Sequence, residues 1–126
     1  MLDATAQGVV SRPLLNPASC ANTAAATSGN GLWIDTQDLE GYIVFQMHVG
    51  AVTGSIAGKL QSATDANGTG AADVTGGAFP TSTANTEVTL TLPAHSFANR
   101  YVGFVGTIVT GPVLVGVNAV AGKKYA

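Results

Sequence analysis

The chain has few charged residues, few aromatic residues and a single cysteine, and each shortage excludes a class of protein. Charged side chains make up 10% of the 126 residues, well below the roughly 25% that is usual in soluble domains. Cys20 alone cannot form an internal disulfide framework or a cysteine-based zinc site. With a net charge of −2, the chain lacks the excess of basic residues with which proteins bind nucleic acid. We therefore expect one charge-poor domain over residues 1–126, with no nucleic-acid partner.

Two uncharged stretches raise the question of a membrane, and their composition argues against one. Residues 101–122 are long enough to span a bilayer as a helix. However, Gly111-Pro112 lies in the middle, and proline destabilises a helix interior by about 3 kcal/mol. The second stretch, residues 41–58, contains the polar residues Gln46 and His48, which are unfavourable in a membrane span. Since the first residues also lack the features of a secretory signal, we expect no membrane association and synthesis in a cytoplasm.

Apolar residues at every second position dominate the sequence after residue 31, which is the period of a β-strand. In residues 42–49 the apolar face consists of Ile43, Phe45, Met47 and Val49. In residues 87–92 the apolar face consists of Val88, Leu90 and Leu92. The strands predicted in this way are residues 32–34, 42–49, 52–62, 87–92, 101–109 and 113–120.

Turn-forming stretches separate these strands and no helix of useful length is indicated, so the fold is predicted to be an all-β antiparallel sandwich or barrel. The turns include residues 65–70, Thr75-Gly76-Gly77 and 80–85. Residues 1–30 are predicted to be an extended N-terminal arm with one strand near residues 7–10, and residues 31–126 the β-sandwich core. The side chains expected to anchor that core are Trp33, Phe45, Phe79, Phe97, Tyr101 and Phe104.

The motifs of hydrolases and zinc enzymes are not present. His48 and His95 do not belong to a His-Glu-x-x-His helix, and no second cysteine can join them at a metal. We place His48 on the wetter face of its strand and His95 in a loop. The segment 54–58 has its serine one position too early for a nucleophile elbow. Nothing near Cys20 indicates an activated thiol.

The acidic residues are predicted to be structural. The segment from Asp65 to Gly70 has glycine too early for a calcium loop and is interpreted as a hairpin turn. Three acids close together in the sequence, Asp35, Asp38 and Glu40, could suggest the paired carboxylates of acid–base catalysis. We expect them instead in an exposed loop. We therefore predict no catalytic, cofactor-binding or metal-binding residue, and no enzyme activity.

The charges are unevenly distributed along the chain. All seven acids lie in residues 1–99, whereas Arg100, Lys123 and Lys124 lie in a final segment without acids. Two interpretations remain open: these are ordinary solvated charges, or they form a cationic end that docks on an acidic neighbour such as a second copy.

The sequence from Lys59 onward resembles small head proteins of tailed bacteriophages. The similar features are Lys59-Leu60-Gln61-Ser62, Asp65, the segment 72–76 and Phe79. A second similar region runs from Arg100-Tyr101-Val102-Gly103 through a Thr-Gly-Pro turn to a Val-rich strand that ends at Tyr125, and it matches a C-terminal hairpin. On these features the chain is similar to the jelly-roll capsid cement, or decoration, proteins.

This resemblance implies a jelly-roll-like β-sandwich that forms a homotrimer on the outer surface of a virion and clamps neighbouring major capsid subunits. Residues 1–20 and the 65–80 loop are expected to contact the shell and sister copies. No membrane, nucleic acid or small-molecule substrate is implied. Two alternatives remain: a phage tail or fibre component, and a carbohydrate-binding module that would use Trp33, Tyr42 and Tyr125.

Overall fold

The computed structural model describes residues 9–20, 32–110 and 112–123, which form eight β-strands and, within those ranges, no helix. This confirms the all-β prediction. The strands are β1 (Val9–Cys20), β2 (Ile34–Asp35), β3 (Leu39–Val52), β4 (Ser55–Ala63), β5 (Ala72–Ala78), β6 (Thr86–Pro93), β7 (Tyr101–Val109) and β8 (Val113–Lys123).

The strands form two antiparallel sheets of four. The front sheet has the order β1-β8-β3-β6, and the back sheet has the order β2-β7-β4-β5. All connections cross from one sheet to the other except that between β4 and β5. Eight strands arranged in this order are a jelly roll, the double-sheet form in which two Greek keys close one core. The predicted antiparallel sandwich is therefore confirmed.

The Thr-Gly-Pro turn does not close a hairpin. β7 pairs with β2 and β4 in the back sheet, whereas β8 pairs with β1 and β3 in the front sheet. The hairpin implied by the resemblance is thus wrong, because the chain changes sheets at this corner. Thr110, at φ 58, is the one non-glycine residue with a positive φ among the described residues.

Alternation along the strands builds the core between the sheets. Ile43, Phe45, Met47 and Val49 of β3 are buried, as predicted. The inner face of β8 is lined by smaller side chains, from Val113 to Ala121, which are also buried. Each fully buried Val, Leu, Ile, Phe or Met side chain contributes roughly 1.5–3 kcal/mol. The core thus depends on many modest contributions.

Aromatic side chains fill the wider parts of the sandwich. Phe45 packs edge-on against Phe97 with ring centroids 6.2 Å apart, and Phe79 packs edge-on against Phe104 at 5.8 Å. Of the six predicted anchors, Phe45, Phe79 and Phe104 are buried, whereas Trp33, Phe97 and Tyr101 are half-buried.

The N-terminal region contributes a strand to the sandwich. Within the predicted arm, residues 9–20 form β1, which pairs with β8 from Val9 to Cys20. Register shifts interrupt the pairing after Pro13 and again after Leu15. Leu14 and Leu15 are both buried. The strand is longer than expected, and the rest of the arm lies outside the described residues.

β5 occupies residues 72–78 of the predicted 65–80 loop. Residues 72–78 pair with β4, so the turn expected at Thr75-Gly76-Gly77 is wrong. The pairing jumps between Lys59 and Gln61 of β4, and Gly76 has φ 76. The bulge places glycines, which are typical of turns, within a strand. This explains why the sequence predicted a turn here.

Candidate binding surface

Two of the three candidate carboxylates lie in ion pairs at the corner between β2 and β3. Asp35 receives hydrogen bonds from Arg100, with Nε 2.8 Å from Oδ1. Asp38 receives two hydrogen bonds from Arg12, at 3.0 and 2.9 Å, and Arg12 also donates to the Asp35 carbonyl. Each carboxylate is thus held by an arginine in a fork-like geometry that fixes orientation.

The same corner is tied to β7 through Thr36, which is buried. Its backbone N–H and its hydroxyl both donate to the Arg100 carbonyl, at 3.0 and 2.6 Å. The third candidate, Glu40, lies beyond this corner as an exposed residue of β3. Asp35 and Asp38 thus take part in the hydrogen bonds that fasten this turn.

The arginines change the pKa values of both carboxyl groups. Hydrogen bonding from Arg100 lowers the pKa of Asp35, and the backbone N–H of Gln37 adds to this effect. Hydrogen bonding from Arg12 lowers the pKa of Asp38. Both groups therefore remain ionised further into the acid range than a free aspartate. Because Arg100 is paired with Asp35, it is not a free charge of the proposed cationic end; the Lys123 side chain and Lys124 lie outside the described residues.

Asp65 organises the turn between β4 and β5. Its Oδ1 accepts hydrogen bonds from the backbone N–H groups of Asn67 at 2.9 Å and Thr69 at 3.2 Å. Gly68 and Gly70 both have positive φ values. This is an Asx-type turn, in which the carboxylate satisfies backbone donors. The predicted hairpin connection is therefore confirmed. Hydrogen bonds that Thr69 donates to the Asp65 carboxylate lower the pKa of Asp65.

The two histidines lie apart from each other. His48 is half-exposed on the outer face of β3, where its Nδ1 is 3.4 Å from a carboxylate oxygen of Glu87. His95 is exposed in the turn that follows β6. Both positions agree with the sequence prediction. Among the described residues, no group of three or more His, Cys, Asp or Glu side chains could hold a metal ion. The described part of the chain also contains no helix that could cross a membrane.

Two of the three aromatic residues considered for carbohydrate binding, Trp33 and Tyr42, do not share a surface. Trp33 packs against the outer face of β7 at Gly103 and contacts Gly68 in the β4–β5 turn. Tyr42 is 66% exposed on the outer face of the front sheet. The two rings thus lie on opposite sides of the sandwich, and Tyr125 lies outside the described residues.

The strongest candidate for a binding surface is the outer face of the front sheet. A groove of about 490 Å³ crosses this face and is lined mainly by apolar groups; the lining residues are Pro13, Leu15, His48, Gly50, Leu114, Val115, Gly116, Val117 and Asn118. Gly116 lies opposite His48 in the ladder, and its missing side chain deepens the groove. Leu114 forms one wall and is 46% exposed.

Polar groups on this face are mostly uncharged and bound to each other. Asn118 of β8 donates to Gln46 of β3 at 3.3 Å and to Ser11 of β1 at 3.4 Å, so one amide spans three strands. Among the described residues that line the groove, His48 is the one ionisable group, and Glu87 lies beside it. The exposed Glu40 and Tyr42 lie further away, toward the start of β3. The face is therefore suited to a large, weakly charged partner surface.

Sequence reasoning did not identify this groove. Its residues come from β1, β3 and β8, which are far apart in the chain and meet only through the sheet order. The available signal was the apolar Leu114 at a position that alternation assigns to the outer face. No family model, curated protein or solved structure matches the chain.

Proposed function

We propose that the chain is a structural virion protein that binds the outside of an icosahedral phage head and clamps neighbouring major capsid subunits together. The observation that carries this proposal is the outer face of the front sheet, where an apolar groove crosses a surface with very little charge. Apolar patches on a folded surface commonly mark a site covered by another protein. The sequence resemblance to capsid cement proteins supplies the identity of that partner.

The fold is compatible with this role. Jelly rolls are frequent in viral capsid proteins, although they also occur in lectins and cupins, so the fold alone does not assign a function. The strand order supports the proposal because it is the architecture that the sequence resemblance implies. The support from fold and the support from the surface are independent of each other.

The use of acidic residues also favours a structural role. Asp35, Asp38, Asp65 and Asp73 all accept hydrogen bonds from neighbouring groups of the fold. A catalytic carboxylate would instead be presented to a cleft beside a second reactive group. These four side chains stabilise turns and strand pairs, which is the work expected in a protein whose function is to bind and reinforce.

In this proposal the chain is made in the cytoplasm of the host bacterium and acts on the outer surface of the virion. Its partners are the major capsid protein and, in a homotrimer, further copies of itself. It needs no cofactor, nucleic acid, membrane or small-molecule substrate. A partner surface of low charge is expected, because a charged group facing the groove would lose its hydration without a counter-charge.

Sedimentation with empty heads tests the proposal. Empty heads assembled from the major capsid protein of a tailed phage that carries the gene for this chain are mixed with the purified protein and pelleted. We expect saturable binding that Leu114→Lys weakens about tenfold or more, since a lysine buried in an apolar contact costs at least about 1.4 kcal/mol. Val109→Lys is the matched control. Val109 is also apolar and exposed and precedes the turn between β7 and β8, but it lies on the outer face of the back sheet.

The control variant should bind as the wild-type protein does. Equal loss for both lysine variants would show that the groove has no special part in binding. Failure of the wild-type protein to pellet with heads would contradict the proposal. Recovery with purified tails would support the tail alternative, and binding to a glycan array would support the carbohydrate alternative.

A further inference from the structure

The two sheets have four edge strands, and β6 is the one whose pairing is uninterrupted. β2 is two residues long. β1 contains Pro13 and two register shifts, and β5 contains the bulge at Gly76. In contrast, β6 pairs with β3 through eight consecutive residues without a shift, and in the described part of the chain no strand pairs with its other side. Proteins usually protect such edges with prolines, bulges or charges.

One backbone hydrogen bond determines which groups of β6 are left unpaired. The Ala94 N–H donates to the Gly41 carbonyl at 2.9 Å, directly beyond the pair formed by Tyr42 and Pro93. In an antiparallel ladder this bond makes the Tyr42–Pro93 pair a non-hydrogen-bonded one, so successive residues of β6 point their backbone groups in alternate directions. The residues whose N–H and C=O groups point away from β3 are therefore Glu87, Thr89 and Thr91.

The core is also incomplete along this edge. The inward-facing side chains of β6 are Val88, Leu90 and Leu92, and each is half-buried, whereas their partners on β3 are buried. An added strand would cover the exposed part of these side chains. The edge thus offers free backbone groups and unburied apolar surface at the same place, which is the combination used in strand addition.

We propose that β6 pairs with β6 of a second copy of this chain, antiparallel about a two-fold axis at Thr89. The front sheets of the two copies then become one continuous sheet of eight strands. In this register Thr89 lies opposite Thr89 of the second copy, and Glu87 lies opposite Thr91. Each of the three outward N–H groups then donates to an outward C=O group of the other copy. Pro93, which has no N–H, lies outside the paired set.

The side chains of β6 are compatible with this pairing. The two-fold axis places Val88 opposite Leu90 on the inner face, so apolar side chains of the two copies extend one core. The two Glu87 carboxylates are about 14 Å apart along the strands, beyond the screening length of roughly 8–10 Å at physiological salt. We therefore favour a second copy as the partner of this edge, because its apolar and charged side chains fall in compatible positions.

This contact uses the edge of the front sheet, whereas the proposed shell contact uses its outer face. The two proposals can therefore fail separately. A two-fold contact can also coexist with the homotrimer of the proposed function, so the informative quantity is the change in mass caused by a substitution in β6.

Sedimentation equilibrium of wild-type protein and Thr89→Pro tests the pairing. Proline at this position removes an outward N–H and no bond within the fold, so it should be tolerated at an edge. We expect the wild-type mass to rise with concentration and Thr89→Pro to have half that mass at the highest concentration. Thr107→Lys, on the outer face of β7, controls for a surface change elsewhere on the molecule.

Amide hydrogen exchange of the wild-type protein provides a second measurement that does not depend on the variant's folding. The amides of Glu87, Thr89 and Thr91 should exchange rapidly in dilute protein and become protected as concentration rises. The inference is overturned if folded Thr89→Pro and wild-type protein have equal mass, or if these three amides exchange equally fast at all concentrations. Association of wild-type protein with unchanged exchange at β6 would place the self-contact elsewhere.

Discussion

Single residues determine how the back sheet is covered, and Trp33 is the clearest case. Its ring occupies the space above Gly103, where a Cβ atom would lie 2.7 Å from the ring carbon Cε3. A Cβ at Gly68 would lie 2.8 Å from the ring carbons Cε2 and Cζ2, and Gly68 also has φ 83. Two glycines from separate elements thus form one slot for the only tryptophan of the chain.

The slot predicts that Gly103→Ala destabilises the protein. The added methyl would overlap the Trp33 ring and force it outward, which costs about 1–3 kcal/mol for overpacking. Chemical denaturation followed by circular dichroism measures the loss of stability with and without Trp33, and tryptophan fluorescence reports the environment of the ring where Trp33 is present. In a Trp33→Leu background the same glycine substitution should cost much less, because the flat ring no longer fills the space. An equal cost in both backgrounds would contradict this explanation.

At the scale of elements, the corner between β2 and β3 depends on charges from distant strands. Arg12 comes from β1 and Arg100 from the start of β7, and they hold Asp38 and Asp35 respectively. Because a two-residue strand has few ladder bonds of its own, β2 is positioned largely by these side chains and by Thr36.

This network predicts a loss of stability in acid. The pKa of Asp38 is lowered in the folded protein, so near pH 4 the folded state binds fewer protons than the unfolded chain. The contribution is therefore complete above about pH 5 and is lost as the pH falls through the lowered pKa. Asp38→Asn should cost at most about 1 kcal/mol at pH 7, since the pair is partly exposed, and should flatten the decline between pH 5 and 3.

Thermal unfolding across this pH range measures both effects. The double variant Arg12→Met/Asp38→Asn, compared with the two single variants, gives the coupling between the two side chains, which should disappear as the pH falls through the lowered pKa of Asp38. A decline of stability with acid that is the same in wild-type and Asp38→Asn protein would show that Asp38 does not contribute to it.

The elements also show where sequence patterns are informative. Residues 42–49 of β3 and 87–92 of β6 alternate without interruption, so their inner faces were predicted correctly. β5 was not predicted because Gly76 and Gly77 are typical of turns, and only pairing with β4 makes the segment a bulged strand. Alternation likewise could not show that β7 and β8 belong to different sheets, since a hairpin and a sheet-crossing corner use similar turn residues.

On the scale of the whole molecule, the first and last strands lie side by side. β1 pairs with β8 from Val9 to Cys20, and it contributes Leu14 and Leu15 to the core. The sandwich therefore closes only when the two ends of the chain meet, a non-local pairing typical of slowly folding β-proteins.

This closure predicts different results for two deletions. Removal of residues 1–8 leaves β1 intact and should preserve folding, measured by circular dichroism and thermal unfolding. Removal of residues 1–20 deletes the strand and two buried leucines, each worth roughly 2–5 kcal/mol, against a total stability of about 5–15 kcal/mol. We expect that product to be unfolded or insoluble. A folded protein without residues 1–20 would show that β1 is dispensable.

The shorter deletion is also the appropriate test of an arm that contacts the shell. A deletion that reaches Arg12 would remove part of β1 and the ion pair with Asp38. Loss of head binding after such a deletion could then result from a damaged fold.

The all-β class, the alternation of most strands and the turn at Asp65 could be predicted from the sequence, because they depend on side chains that are neighbours along the chain. The sheet order, the arginine hydrogen bonds to Asp35 and Asp38, the groove beside Leu114 and the open edge of β6 became visible only in the folded molecule. Each of these joins residues from strands that are distant in sequence. Their proximity results from packing two sheets around one core. Local periodicity cannot show it, because alternation along one strand does not indicate which other strand lies beside it.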